Sequence, residues 1–483
     1  LQSAIHPPLS AAVYGPRKDT AMASTPQFTI DNSPAVGFHY RLAIFTGGGK
    51  FVDGYTLGVL SIALAVLPAN FGMTPLLSGL VGSAALIGLF LGSICFGQVA
   101  DRIGRRKLYQ IDLMIFLVAS IAQFFVTDPT QLFLVRLVLG IAIGIDYAVG
   151  PTYLSEMMPL KLRGPLLGSL AAVWRFGFLA SIGVGVLLNS LNLGADAWKW
   201  ILVTSAVPSA IVMLLRLGSP ESPRWLVAQG RVAEADAVVK KHINPNTGVE
   251  DLVEALAHAN EKRRSAGETF RLLFSRKWRS RTLFAGFFWI AQATPQTAIF
   301  TFLPTLFVAL GVANGFTPTL IQNAFFAAGG VIGMLIVNKF TRRGMLITTF
   351  WMMAVSVLAL AILPKPDAML VIICLCIYAF IEAIAGNLQF IYPAELFPTS
   401  MRAAGVGMAA ALSRIGAAIG TFVLPIIVAT YGAQTLMIGT VVLLALGAFV
   451  SWKVAPETGG RSLVEEPPAR EAKDGVVQTT TAV

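Results

Sequence analysis

Residues 97–106 read GQVADRIGRR, one acid and three arginines set between apolar runs at about 76–98 and about 108–127. A helix needs about 20 apolar residues to cross the roughly 30 Å of a hydrocarbon core, so each run is long enough to span a membrane. With Lys107 this loop holds four basic residues, the mark of a loop that stays on the side of synthesis. Outward from it the same alternation recurs. Twelve spans are predicted, at about 41–68, 76–98, 108–127, 130–156, 166–190, 197–217, 281–309, 317–340, 344–363, 367–393, 402–430 and 433–453. Composition agrees. Only 13% of the 483 residues are charged and 55% are hydrophobic, against about 25% charged in a soluble domain.

Charge placement predicts orientation. Lys161 and Arg163, the polar segment 218–280, Lys339 with Arg342 and Arg343, and Arg402 all fall on the side of the first loop. The opposite loops hold Lys199 and Lys365. Both termini are therefore expected in the cytoplasm. The net charge of +11 reads as topology-setting residues facing anionic headgroups, not as a nucleic-acid surface. Cys95, Cys374 and Cys376 lie in apolar runs, so neither a disulfide framework nor a metal site is expected. The polar ends, 1–40 and 456–483, read as disordered cytoplasmic tails. Between them a bundle over 41–217, a linker over 218–280 with amphipathic stretches at 231–242 and 249–264, and a bundle over 281–455 are expected.

The halves repeat. Glu156, Pro159 and Arg163 recur as Glu395, Pro398 and Arg402, at an offset of 239. Asp101, Arg102, Arg105 and Arg106 recur as Asn338, Lys339, Arg342 and Arg343 at 237, and Pro220-Glu221-Ser222 as Pro456-Glu457-Thr458 at 236. Parallel six-helix repeats are a transporter architecture with the substrate site between them.

On these residues the chain resembles the major facilitator superfamily, whose loop signature G-x-x-x-D-R-x-G-R-R matches 97–106. PESPRWL at 220–226 and PETGGR at 456–461 resemble the sugar-porter branch. YPAELFPTSMRAAGVG at 392–407 resembles the branch with metabolite:proton symporters and organic-ion transporters. DYAVGPTYLSE at 146–156 and DGY at 53–55 are similar to the bacterial metabolite:proton symporters. The resemblance implies an all-α membrane protein of the major facilitator fold, with twelve helices in two pseudo-symmetric bundles of six, in a bacterial inner membrane. It implies gating roles for Gly97, Asp101, Arg102, Arg105, Arg106, Glu156, Arg163, Glu221 and Arg224, and for Asn338, Arg342, Glu395, Arg402, Glu457 and Arg461. By chemistry, Asp101 can cap a helix N-terminus, and Arg163 and Arg402 can pair with Glu156 and Glu395. Static capping is the alternative to a moving latch.

Ionisable residues deep in a span are functional candidates. At about 1.5 Å per residue, Asp53 lies about 18 Å above the inner edge and Arg136 about 9 Å below the outer edge, within reach of each other. They match an Asp of the first span and an Arg of the fourth that proton-coupled relatives use for coupling. A carboxyl whose partner comes and goes through a cycle can bind a proton on one side and release it on the other; a permanent ion pair is the alternative. Lys50, three residues from Asp53, can pair with it. Arg175 and Arg414 fall near mid-membrane, and SRIGAAIGTFVLP at 413–425 is similar to the eleventh span of organic-ion transporters, where anion carriers tend to hold Arg. Two guanidiniums can clamp a carboxylate; pairing with Asp146 or Glu382 is the alternative. Tyr55, Tyr147, Trp174, Trp289, Gln292, Gln296, Asn387 and Gln389 are candidate cavity residues, with packing the alternative.

GGGK at 47–50 lacks the P-loop pattern, and no zinc-type cluster or nucleophile elbow is present, so neither an enzyme nor an ATP-driven pump is expected. The expected function is proton-coupled uptake of a small organic anion, such as a carboxylate metabolite or aromatic acid. It would need no cofactor beyond the proton gradient and would work as a monomer. A sugar or polyol symporter, an exporter and a non-transporting sensor remain as alternatives.

Overall fold

The computed structural model describes residues 28–254, 266–398 and 401–458. The helices begin where the sequence offers a cap. Thr74, Asp128, Thr341 and Asp367 each accept a hydrogen bond from a first-turn amide, and proline follows Thr74 and Asp128 directly. Such oxygens satisfy amides that have no partner inside the helix.

The first half comprises α1 (Gly37–Ala65), α2 (Pro75–Ile103), α3 (Arg105–Ala122), α4 (Pro129–Met157) and α5 (Leu160–Ser190), then a sixth span made of α6 (Ala197–Val203) and α7 (Ala206–Arg216). The short helices α8 (Pro223–Ala228), α9 (Val232–His242) and α10 (Ala266–Leu273) follow. The second half has a seventh span of α11 (Arg279–Thr301) and α12 (Leu303–Ala309), then α13 (Phe316–Ile336) and α14 (Arg342–Ile362). Its tenth span is α15 (Ala368–Gly386) with α16 (Leu388–Leu396), and α17 (Arg402–Val454) completes it. Inside α17, Gly432 takes φ 83° and ψ 161°, so one continuous element holds the eleventh and twelfth spans. Among the described residues nine stretches are long and apolar enough to cross by themselves, Ala404–Val454 being one. Splitting it at Gly432 and adding α1 and α11, whose apolar runs are interrupted by buried polar residues, makes twelve.

Packing repeats between the halves. α1 lies on α5 and α2 on α4, as α11 lies on α17 and α13 on α15. The halves meet through α2 against α17 and α5 against α13. Small residues let these backbones touch. A Cβ on Gly88 would run into the Leu137 carbonyl, one on Gly140 into that of Ala85, and one on Gly329 into that of Phe380. In lipid, where apolar burial between helices gains little, such contact is a main source of association.

The linker forms a small apolar cluster of Trp225, Leu226, Ala235, Val239, Ile243, Val249 and Leu252 on the basic side. Ile30 joins it, Phe28 bridges to Thr247, and Asp31 pairs with Arg163 and Arg224. The expected disordered tail over 1–40 is thus ordered from Phe28, because an apolar residue and an acid find partners on the linker. The amphipathic stretch 231–242 is α9. Much of 249–264, the first 27 residues and the tail from residue 459 lie outside the described residues.

Candidate functional site

At the basic end each half holds one partly buried network, and the two match position for position. Glu221 accepts from the Arg105 and Arg106 amides at 3.0 and 3.1 Å, capping α3. Glu457 accepts from those of Arg342 and Arg343 at 3.0 and 3.1 Å, capping α14. Arg105 lies 3.4 Å from Glu156, and Arg342 3.3 Å from Glu395. Ser222 and Thr458 donate to those same two glutamates, and Tyr153 and Tyr392 donate to the carbonyls of Pro220 and Pro456.

Three expectations are corrected here. The helix cap is Glu221, not Asp101, whose exposed carboxylate pairs with Arg105 at 2.8 Å. Arg163 reaches Asp31 and the Met158 carbonyl instead of Glu156. Arg402 donates to the Phe397 carbonyl at 3.4 Å, while Glu395 is held by Arg342 and Thr458. In the last two cases the nearer glutamate is already taken by an arginine from the neighbouring helix end. Arg224 pairs with Asp31 at 3.0 Å, and Asn338 accepts from Arg342 at 3.0 Å. Gly97 and Arg102 lie in the last turns of α2. Arg461 lies outside the described residues.

Between the halves is a cavity of about 560 Å³. It collects Lys50, Arg136, Tyr147, Trp174, Arg175, Gln296, Glu382, Asn387, Gln389 and Arg414 from the predicted set. Gly164, Gly168, Met334, Val337 and Ile391 line its basic end, and a Cβ on Gly164 or Gly168 would meet nothing within 4 Å. The other end is packed shut. Phe178 of the first half meets Phe300 edge-on at 6.0 Å, Phe300 meets Phe326 at 4.6 Å, and Gly79 and Gly82 lie against Phe422 and Phe302. The cavity therefore opens toward the basic face.

Tyr55, Trp289 and Gln292 are buried outside this lining. Tyr55 donates to Thr204 at 3.0 Å, an apolar helix face carrying its ring into the first bundle.

The buried charges are paired differently from the expectation. Asp53 and Arg136 are both fully buried, yet Asp53 is bound by Lys50 at 2.9 Å, and Arg136 donates to the Thr56 carbonyl at 2.9 Å and to Gln123 at 3.4 Å. Arg136 meets α1 one turn beyond Asp53, so the Asp53–Arg136 pair is absent from this conformation. Lys50 also reaches Asp146 at 2.7 Å. Asp146 then accepts from Arg216 at 3.1 Å, and Arg216 lies 3.5 Å from Asp112 with its guanidinium 3.4 Å from the Tyr109 ring. Asp112 and Arg216, which the sequence did not single out as candidates, are both buried in this chain of charges. Position along a span gives depth but not which face a residue turns inward.

Lys50 sits 3.6 Å from the Tyr147 ring centroid and Arg414 5.5 Å from the same centroid. Arg175 crosses the interface, donating to the Ala383 carbonyl of α15 at 3.3 Å, with its guanidinium 5.4 Å from the Phe326 ring. Among the described residues, both oxygens of buried Glu382 and Oδ1 of Asp53 have no hydrogen-bond partner.

Two alike six-span bundles closing on a charged cavity define a membrane transporter of the major facilitator type, not an enzyme. Within it the chain belongs to the sugar (and other) transporter family, whose model matches residues 42–468. It is 37% identical over 441 residues to the inner membrane metabolite transport protein YgcS of Escherichia coli, covering 91% of this chain and 96% of that one. It is 27% identical to the niacin transporter NiaP of Acinetobacter baylyi, over 90% and 98%. Its fold superimposes on a partially occluded, inward-open xylose transporter XylE from E. coli with a TM-score of 0.75 at 19% identity, over 88% and 100%.

Proposed function

We propose that this protein takes up a small organic anion together with a proton, by alternating access, as a monomer in a bacterial inner membrane. One observation carries the reading. The charged side chains that line the cavity among the described residues are four basic, Lys50, Arg136, Arg175 and Arg414, and one acidic, Glu382. An anion that leaves water loses its hydration at high cost unless fixed positive groups replace it. The niacin transporter among the relatives is named for a carboxylate substrate, which favours the same reading. In this reading both termini and the open end of the cavity face the cytoplasm, which the basic loops support.

The coupling route runs through Lys50. Its ammonium touches Asp53 and Asp146 on one side and faces the cavity on the other. A proton taken up by Asp53 removes one of its two carboxylate partners. The ammonium is then under-compensated and attracts an anion. Opening to the cytoplasm releases the anion, and Asp53 returns its proton as the Lys50 contact reforms. One proton moves with each anionic charge.

A sugar symporter is the second reading, favoured by the family description and by the amides of Gln296, Asn387 and Gln389 in the wall. Cells expressing the protein, given carboxylates or sugars in weakly buffered medium, distinguish the two. External alkalinisation on adding a carboxylate is the expected result. Alkalinisation with xylose or glucose alone would transfer the assignment to sugars, and no pH change with any solute would remove proton coupling.

A further inference from the structure

Lys50 and Arg414 offer the cavity a cationic pole. Their charged groups lie 3.6 and 5.5 Å from one Tyr147 ring centroid, so both stand beside the same residue of the wall. The rest of the wall has a different character. Glu382, a lining residue 1% exposed, holds two buried carboxylate oxygens with no partner among the described residues. Trp174 and Gln389, also lining residues, each hold an N–H donor in the same condition. A simple carboxylate with an alkyl or aryl body would leave all of these unmatched.

Arg175 narrows what can match Glu382. A Cβ built on Gly386 would lie 2.9 Å from Nη2 of Arg175 and 3.8 Å from Oε1 of Glu382, which bounds the separation of those atoms at the sum, 6.7 Å. They form no ion pair at 4.0 Å or less. The gap suits one small polar group. A primary ammonium there would sit against the guanidinium. A hydroxyl accepts from Arg175 while donating to Glu382. It would thereby join the first half to the second, since α5 carries Arg175 and α15 carries Glu382.

We propose, resting on the anion reading above, that the substrate is a hydroxylated carboxylate of the sugar-acid kind, with its carboxylate at Lys50 and Arg414 and a hydroxyl between Arg175 and Glu382. This joins the anionic character of the cavity to the polyol chemistry that the family description suggests. A cavity of about 560 Å³ falls within the range for one small organic ligand.

The test is calorimetry on the purified protein in nanodiscs, with gluconate, hexanoate and glucose as probes. Gluconate should bind at least about tenfold tighter than either, because a site built to hydrogen-bond a hydroxyl discriminates strongly against a ligand that lacks it. Glu382→Leu should remove most of that advantage while changing hexanoate affinity less than about twofold, a split that a merely structural role would not produce. The melting temperature of the variant serves as a folding control. Gluconate and hexanoate binding equally would overturn the hydroxyl inference and leave the anion reading standing. Glucose binding best, with both acids weak, would overturn both. Failure of gluconate to bind at all would also overturn the inference.

Discussion

At the scale of the residue, Lys50 is the group on which most depends, because it stands between Asp53, Asp146 and the cavity. Replacing it by Met leaves two fully buried carboxylates short of their cation. Breaking a buried pair from one side costs about 3–5 kcal/mol, so Lys50→Met should lower the melting temperature and abolish uptake. Adding Asp53→Asn removes one of the orphaned charges and should restore part of the stability but none of the coupling. A double variant as unstable as Lys50→Met alone would deny the contact its role. Asp53→Asn by itself mimics a permanently protonated acid. In proteoliposomes it should lose pH-driven accumulation yet keep substrate exchange across the membrane; full accumulation by this variant would exclude Asp53 as the proton carrier. Under the proposed symport, wild-type accumulation should rise as the external pH falls and vanish when the proton gradient is collapsed.

At the scale of the element, the loop motifs cap helices in this conformation. Glu221 and Glu457 each bind two amides at a helix start, where unsatisfied N–H groups and the helix dipole both favour an anion. Losing such a cap costs typically about 1 kcal/mol and up to about 2, so Glu221→Ala and Glu457→Ala should each lower thermal stability by a similar modest amount. Their likeness follows from the repeated geometry, and a large effect in one half alone would contradict it. Each network also closes within its own half. Arg163→Ala should therefore loosen the Phe28–Asp31 segment from the linker, seen as faster amide exchange there. Distances across the cytoplasmic face between the halves should change little; a large shift would restore the view of Arg163 as a latch between bundles. The pairing of Arg163 with Glu156 was misjudged because sequence proximity hid a competitor, Arg105, brought over from the next helix.

At the scale of the whole molecule, the cavity opens on the basic side and is closed at the other by Phe178, Phe300 and Phe326. A cysteine at Gly168, where added atoms meet open space, should react with a membrane-impermeant maleimide added from the cytoplasmic side. The background should carry Cys95→Ser, since Cys95 is the exposed native thiol among the described residues. Equal labelling from both sides would reject either the orientation or the direction of opening. The contact between Arg175 and the Ala383 carbonyl crosses the halves and must break or slide when they rock, so Arg175→Ala should speed that motion even where binding is weakened.

Twelve spans, two related halves, the basic side and the family were all legible along the chain. Each depends on local quantities: apolar length against bilayer thickness, lysine and arginine counts in short loops, and motifs that recur at offsets of 236 to 239. The charged and amide-bearing cavity residues were legible too, since a buried amide or arginine in a span is costly without a purpose. Partner choice was not. Asp53 and Thr56 differ by three residues, about 4.5 Å along α1, yet that decides whether Arg136 meets a carboxylate or a carbonyl. Depth can be counted from a helix end, but which turn of one helix faces which turn of another depends on how closely Gly54 and Gly177 let α1 and α5 approach. Only tertiary packing decided that Lys50 would hold Asp53 and Asp146 together, that Glu221 would take the place expected for Asp101, and that Arg175 would donate to the Ala383 carbonyl.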